Sequence, residues 1–305
     1  MSLVVVGGTV VDIIITRAPR LPTWPGHSEF TPANLVLLGD APLITLGGNG
    51  ANAAYVAACS GVQVDLSTNV GDDPFGTVAR GWMTSVGCRF LRSSKMNRTA
   101  INITAANAHH ARATFFYPGT PPNLPALRDL PLKTTHFLVC GWPHPPFPQL
   151  ERCFRSLKRK RVFTAMDTGP FLGRPWALTE LKPLFPFLDL LLANEYELNA
   201  LTRSADLSVS LRKLRQHFHG HLVVKRGSQG ALWLPELSSE PRVIRALKVR
   251  AVNTVGAGDS FNGALLGALA LKKEFAFALA HAVKVAAKVV ASKQGVLGAK
   301  DWASH

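Results

Sequence analysis

The chain has 305 residues, 47% apolar and 17% charged, which excludes a disordered chain and leaves room for two domains or one large α/β domain. Its 34 Lys and Arg against 19 Asp and Glu give a formal charge of +15, which admits a polyanion as partner or an enzyme that handles anionic phosphates. Four widely spaced cysteines, Cys59, Cys88, Cys140 and Cys153, form no CxxC pair, which points away from a zinc site or a disulfide framework and towards reduced thiols.

The N-terminal run MSLVVVGGTVVDIIIT lacks a basic leader and is interrupted by Gly7, Gly8 and Asp12. It reads as a core strand and a turn, not as a signal peptide. From there, short β-branched or apolar runs alternate with helical patterns, as in a parallel sheet covered by helices. Strands are expected over 3–7, 64–70, 136–140, 161–166, 188–192 and 222–224. Helices are expected over 49–60, 74–86, 147–158, 195–201 and 207–218, with two more, 257–271 and 274–293, closing the chain.

Two segments break this rhythm. The segment 10–46 carries Pro19, Pro22, Pro25, Pro32 and Pro42, and the segment 100–117 contains INIT and ATFFY, which could pair as a hairpin across 105–112. Both read as strands outside the main sheet that together form a small flap. A flap would exclude water from a phosphoryl-transfer site; two surface hairpins without a gating role are the alternative. The basic run Arg152, Arg155, Lys158, Arg159, Lys160 and Arg161 falls where a helix ends and a strand begins, and cations there meet the helix dipole favourably. Neither interleaved aromatics nor a recognised module accompanies them, so nucleic acid is not expected as a partner. No apolar stretch, 185–193 included, is long enough to span a bilayer, and a cytoplasmic protein is the expectation.

Two segments carry chemistry. Residues 253–261, NTVGAGDSF, lead into an apolar helix that Gly256, Ala257 and Gly258 open. Small residues let backbone N–H groups approach a ligand, and a helix N-terminus offers unpaired donors and partial positive charge to an anion. Asp259 then falls in the first turn. A carboxylate beside a phosphate cradle would repel it, unless it takes a proton from a hydroxyl attacking phosphorus; a Gly-rich cap with Asp as a capping residue is the alternative. Residues 46–54, LGGNGANAA, also open a helix. Their spacing is neither that of a dinucleotide loop nor that of a Walker A loop, and the amides of Asn49 and Asn52 suit the hydroxyls of a polyol.

Together these segments resemble the two signatures of the PfkB, or ribokinase-like, carbohydrate kinase family. The first runs from Gly47 to Gly71, with Asn52, Gly61 and Gly71 in the family's spacing, and the second from Asn253 to Leu266. Gly8 and Asp12, residues 22–26, the run GDDPFG at 71–76, NEYE at 194–197 and KRGSQG at 225–230 extend the likeness over nearly the whole chain. The resemblance implies a three-layer α/β/α sandwich with a mostly parallel central sheet and a small β-sheet lid. It implies one kinase domain over 1–305, with lid segments near 10–46 and 100–117.

The roles it implies are specific. Asp259 would be the general base, and Gly256, Ala257 and Gly258 the anion hole for the γ-phosphate. Asp12, Gly47, Gly48, Asn49 and Asn52 would hold the sugar. Asn194, Lys225, Gly227, Gly230 and Lys284 would bind the nucleotide, and Glu197 would organise Mg2+ through water. Bland rivals stand beside several of these. Asp12 could cap a turn, Glu197 could be an exposed helix residue paired with Arg203, Lys225 a strand-end charge, and Lys284 a side chain extending from a helix face into water. Two departures matter. Asn253 replaces the family's usual Asp, keeping an oxygen but losing the charge, which leaves activation by K+ open. Asn49 stands where ribokinase and sugar-phosphate kinases carry Lys, which argues against a phosphorylated substrate.

The expected activity is ATP-dependent transfer of the γ-phosphoryl group to a hydroxyl of a small carbohydrate. Nucleoside kinase is the runner-up, with Trp24, Phe115, Phe116 and Trp142 as candidates for a base-binding wall. A catalytically silent sugar or nucleotide sensor is the rival of a different class. A homodimer through the lid is expected from its one-sided apolar pattern, with Ile101, Ile103, Phe115 and Tyr117 on that face.

Overall fold

The computed structural model describes residues 1–22, 32, 34–91, 97–107, 112–141, 146–169 and 176–301. The chain opens with β1 (Ser2–Val6), β2 (Val10–Ala18), β3 (Leu43–Gly47) and α1 (Asn49–Cys59). Next come β4 (Gln63–Ser67), α2 (Pro74–Thr84), β5 (Arg89–Phe90), β6 (Ala100–Asn107) and β7 (Arg112–Tyr117). The middle of the chain holds β8 (Thr134–Val139), α3 (Phe147–Arg159), β9 (Phe163–Asp167), α4 (Leu178–Leu181) and β10 (Leu190–Asn194). After these run α5 (Glu195–Thr202), α6 (Leu207–Arg215), β11 (His221–Lys225), β12 (Ala231–Leu234) and β13 (Arg242–Ile244). The last helices are α7 (Ala257–Ala270) and α8 (Phe275–Ala291).

Nine strands form one sheet in the order β13-β12-β11-β10-β9-β8-β1-β4-β5, parallel from β11 to β5, with β12 and β13 antiparallel. Alternation along each strand divides the core. Leu3 and Val5 face α1, α7 and α8, while Val4 and Val6 face the layer of α3, α5 and α6. This is the expected three-layer sandwich. The basic residues Lys158 and Arg159 end α3, and Arg155 pairs with Glu151 one turn back. No single helix among the described residues is long and apolar enough to cross a membrane.

The helix boundaries match expectation to within a turn, and the strand ends to within three residues. The strand expected over 64–70 stops at Ser67, and the strands expected over 161–166 and 188–192 slide forward to Phe163–Asp167 and Leu190–Asn194. β5, β12, β13 and α4 were not anticipated: each has four residues or fewer, too short for a period to register. The run GDDPFG has a local reason. Asp73 caps α2 by accepting from Gly76 N–H, Pro74 fills the first helical position, and Asp73 also accepts from Thr99 N–H, tying α2 to the start of β6.

The two irregular segments build a second sheet, ordered β3-β2-β6-β7. INIT and ATFFY do pair antiparallel, with Asn102 opposite Phe116; residues 108–111 between them lie outside those described, as do 23–31 and 33. Asp12 falls in the segment expected to build the lid, and it caps no turn. It lies within β2, between Thr45 of β3 and Asn102 of β6.

Candidate active site

A cavity of about 450 Å³ lies between one face of the small sheet and the N-termini of α1 and α7. Both helices reach it because glycines let the backbone close up. A Cβ on Gly50 would sit 2.6 Å from Gly7, and one on Gly263 would sit 2.2 Å from Ala53 O.

The small sheet contributes Asp12, Asn102 and Phe116 to the cavity wall. Asn102 Nδ2 donates to Asp12 Oδ1 at 3.0 Å. Burial pushes the Asp12 carboxyl up to about 6; the Asn102 bond opposes this and the charge of Asp259 adds to it. Gly47 is where the carboxylate needs room, since a Cβ there would fall 2.2 Å from Asp12 Oδ2.

The start of α1 contributes Gly48, Asn49 and Asn52. Asn49 Oδ1 accepts from Gly8 N–H and Gly50 N–H, fixing the turn after β1. Asn52 Nδ2 donates to Asp259 Oδ2 at 3.0 Å, while its buried Oδ1 has no hydrogen-bond partner. The hydroxyls of Thr9 and Thr68, also on the cavity wall, are buried without a partner too. Three orphaned polar atoms around one cavity fit a ligand rich in hydroxyls. No Lys, Arg or His lies on this wall among the described residues.

The start of α7 contributes Gly256 and Asp259. Gly256 holds φ +75°, and a Cβ there would lie 2.7 Å from Val296 and 2.9 Å from Asn52 Nδ2. Ala257 and Gly258 follow in the first turn, whose N–H groups face outward from the helix end. Asp259 is half-buried. Burial raises its carboxyl; the Asn52 bond works against this, Asp167 adds to it and Lys225 opposes it. Asn253 accepts from Val255 N–H at 3.0 Å, which closes the turn leading into α7.

Asn194 and Glu197 form a reciprocal cap on α5: Glu197 N–H donates to Asn194 Oδ1 and Asn194 N–H to Glu197 Oε2, each at 2.8 Å. Glu197 is buried and also accepts from the Thr168 hydroxyl, so it is not an exposed residue paired with Arg203. Lys225 is likewise no free strand-end charge, since its Nζ lies 2.8 Å from Asp167 Oδ2. The remaining candidates stand apart from the cavity. Gly227 and Gly230 shape the turn between β11 and β12, and Lys284 is exposed on α8. Of the four aromatic candidates, Phe116 lines the cavity and Phe115 lies on the opposite face of the sheet, while Trp24 and Trp142 fall outside the described residues.

Asn102, Thr9 and Thr68 join the cavity wall, and Asp167 and Asn262 join Lys225, without having been singled out in the sequence. One signal was available for Asp167. It ends β9, and ligands of open α/β sheets gather at the carboxyl ends of the strands.

The model of the pfkB family carbohydrate kinases matches residues 2–302. The chain belongs to this family. Its members are phosphotransferases acting on sugar hydroxyls, and this chain is an ATP-dependent carbohydrate kinase by that membership. A deoxyribokinase of Salmonella typhi is 26% identical over 279 residues, covering 86% of this chain and 84% of the relative. A ribokinase of Mus musculus is 26% identical over 281 residues, covering 87% and 80%. Among solved structures, the ribokinase of Arabidopsis thaliana complexed with ribose and ATP superposes with a TM-score of 0.77 at 20% identity, covering 97% of this chain and 94% of that one. That likeness bears on the fold alone. The two-sheet architecture of this carbohydrate kinase brings one carboxylate from the small sheet and one from a helix N-terminus to the same cavity, an arrangement able to orient a polyol and deprotonate it.

Proposed function

We infer that the substrate is a neutral, unphosphorylated sugar and that Asp259 is the general base. The observation that carries this reading is the shared cavity of Asp12 and Asp259, with orphaned polar atoms and no cation on its wall among the described residues. Asp12, Asn49 and Asn52 orient the hydroxyls, with Gly47 and Gly48 leaving space for the carboxylate and the chain. A sugar oxygen attacks the γ-phosphorus, its proton passes to Asp259, and the bond to the bridging oxygen of ADP breaks. Gly256, Ala257 and Gly258 donate N–H groups to the charge that develops.

Asn194, Lys225, Gly227, Gly230 and Lys284 are assigned to the nucleotide. No group of three metal-ligating side chains converges among the described residues, which suits Mg2+ carried by the triphosphate and water, with Glu197 acting through water. That ion would neutralise phosphate charge when bound. The small sheet is the lid, and it pairs with a second copy through its outer face.

A nucleoside is the second reading, favoured by the apolar part of the cavity wall: Phe116, Val10, Pro118 and Val255. A panel of neutral sugars, sugar phosphates and nucleosides with coupled ADP detection separates the readings. Turnover of a neutral sugar is expected; turnover of sugar phosphates alone would overturn the neutral-substrate reading.

A further inference from the structure

Carboxylates and one ammonium gather where β9, β11 and α7 converge. Lys225 places its Nζ 2.8 Å from Asp167 Oδ2 and 3.3 Å from Asn262 Oδ1. Asn262 also donates to Asp167 Oδ2, and Asp167 Oδ1 accepts from Gly169 N–H, so this carboxylate is fixed from several sides. The side chains of Asp167 and Lys225 are only 4% and 14% exposed. An ammonium has three donors. Two are spent on Asp167 and Asn262, and the third has no partner among the described residues. A Cβ on Gly258 would lie 3.7 Å from Nζ, so the ammonium stands beside the first turn of α7, where the anion hole begins.

Charge balance makes this lysine more than a packing device. Burial raises both Glu197 and Asp259; Asp167 adds to both, and Lys225 opposes both. Burial also works against the ammonium, but Asp167 and Glu197 outweigh it and hold Lys225 above the ordinary lysine value. A triphosphate entering here would meet an excess of negative charge, with Lys225 the one protein cation in the cluster among the described residues.

We propose that Lys225 is a fixed cation of the phosphoryl-transfer centre, facing the transferred group beside Gly258, and that Asp167 and Asn262 are positioning residues that hold it there. This deepens the kinase reading above and rests on it. Lys225 makes and breaks no bond. While the sugar oxygen bonds to phosphorus, ADP departs and the proton moves to Asp259, the ammonium offsets charge on the phosphoryl oxygens.

The test is the pH profile of kcat at saturating sugar, where Asp12 is engaged and the acid limb reports Asp259. Asp259 is faced by Asp12 from β2, Asn52 from α1, the Cys140 thiol after β8, Asp167 from β9 and Lys225 from β11. Lys225→Met is expected to lower kcat by on the order of 10²-fold with the sugar KM little changed, and to move the acid limb to higher pH. Asp167→Asn keeps the shape and removes the opposite charge, so it moves the limb to lower pH while also lowering kcat. Lys225→Arg restores part of the rate. A purely structural role would not shift the limb in opposite directions. Wild-type kcat in Lys225→Met, or an unmoved limb in both variants, overturns the inference while leaving the kinase reading standing. A wild-type protein that phosphorylates no panel substrate overturns both.

Discussion

Burial holds Asp12 near 6, close enough to neutrality for sugar binding to respond to pH. A carboxylate accepts two sugar hydroxyls; a protonated carboxyl accepts less well and must donate. Because the raised pKa means Asp12 gains its proton as pH falls through about 6, the sugar KM should climb below that point. The KM for ATP should stay flat. Asp12→Ala should raise the sugar KM by roughly 10- to 150-fold, the value of a charge-assisted pair of about 1.5–3 kcal/mol, and should abolish this pH dependence. Equal rises for sugar and ATP would move Asp12 out of the sugar pocket. At this scale the sequence brought out Asn52, Gly256 and Asp259, each inside a contiguous motif, and the structure sets all three on one cavity wall. Asn102, Asp167 and Asn262 were not readable, because each earns its place by a partner far along the chain. Asn102 meets Asp12 across 90 residues and Lys225 meets Asp167 across 58.

Two of the three glycines of α7, Gly258 and Gly263, have opposite roles, and substitutions should separate them. A Cβ at Gly263 would strike Ala53 O at 2.2 Å, so Gly263→Ala must push α1 and α7 apart. It should lower the urea midpoint by the equivalent of about 1–3 kcal/mol, the usual cost of overpacking. At Gly258 the nearest atom to a Cβ is Lys225 Nζ at an ordinary 3.7 Å, so Gly258→Val should fold. Its branched side chain would nevertheless block phosphate approach, so kcat should fall while the urea midpoint holds. A Gly258→Val protein with full activity would reduce the glycine to a helix cap. Element positions were legible because short β-branched or apolar runs alternate along the chain with helical patterns. The β12–β13 extension was not, since four and three residues are too few to show a period.

The small sheet has two unlike faces. Asp12, Asn102 and Phe116 look into the cavity, while Ile44, Ile103, Phe115 and Tyr117 are exposed on the other side. Alternation of apolar and polar residues along 101–104 made this division readable from the sequence, and the register of Ile101 with Tyr117 and of Ile103 with Phe115 agrees with it. A small sheet does not keep such a face in water at no cost, so a second copy is proposed to cover it. Light scattering should give twice the mass of one chain, and Ile103→Asp with Phe115→Glu should halve it. A wild-type protein that is monomeric at every concentration would remove the dimer from the account.

Asp259 is proposed to take the proton from a sugar hydroxyl as that hydroxyl attacks ATP. Sugar-dependent ADP release, measured side by side for the wild-type protein and Asp259→Asn with ATP affinity determined separately, tests it most directly. The expected result is a kcat lower by on the order of 10²–10⁴ in Asp259→Asn with ATP affinity nearly unchanged. A kcat equal to that of the wild-type protein would contradict it.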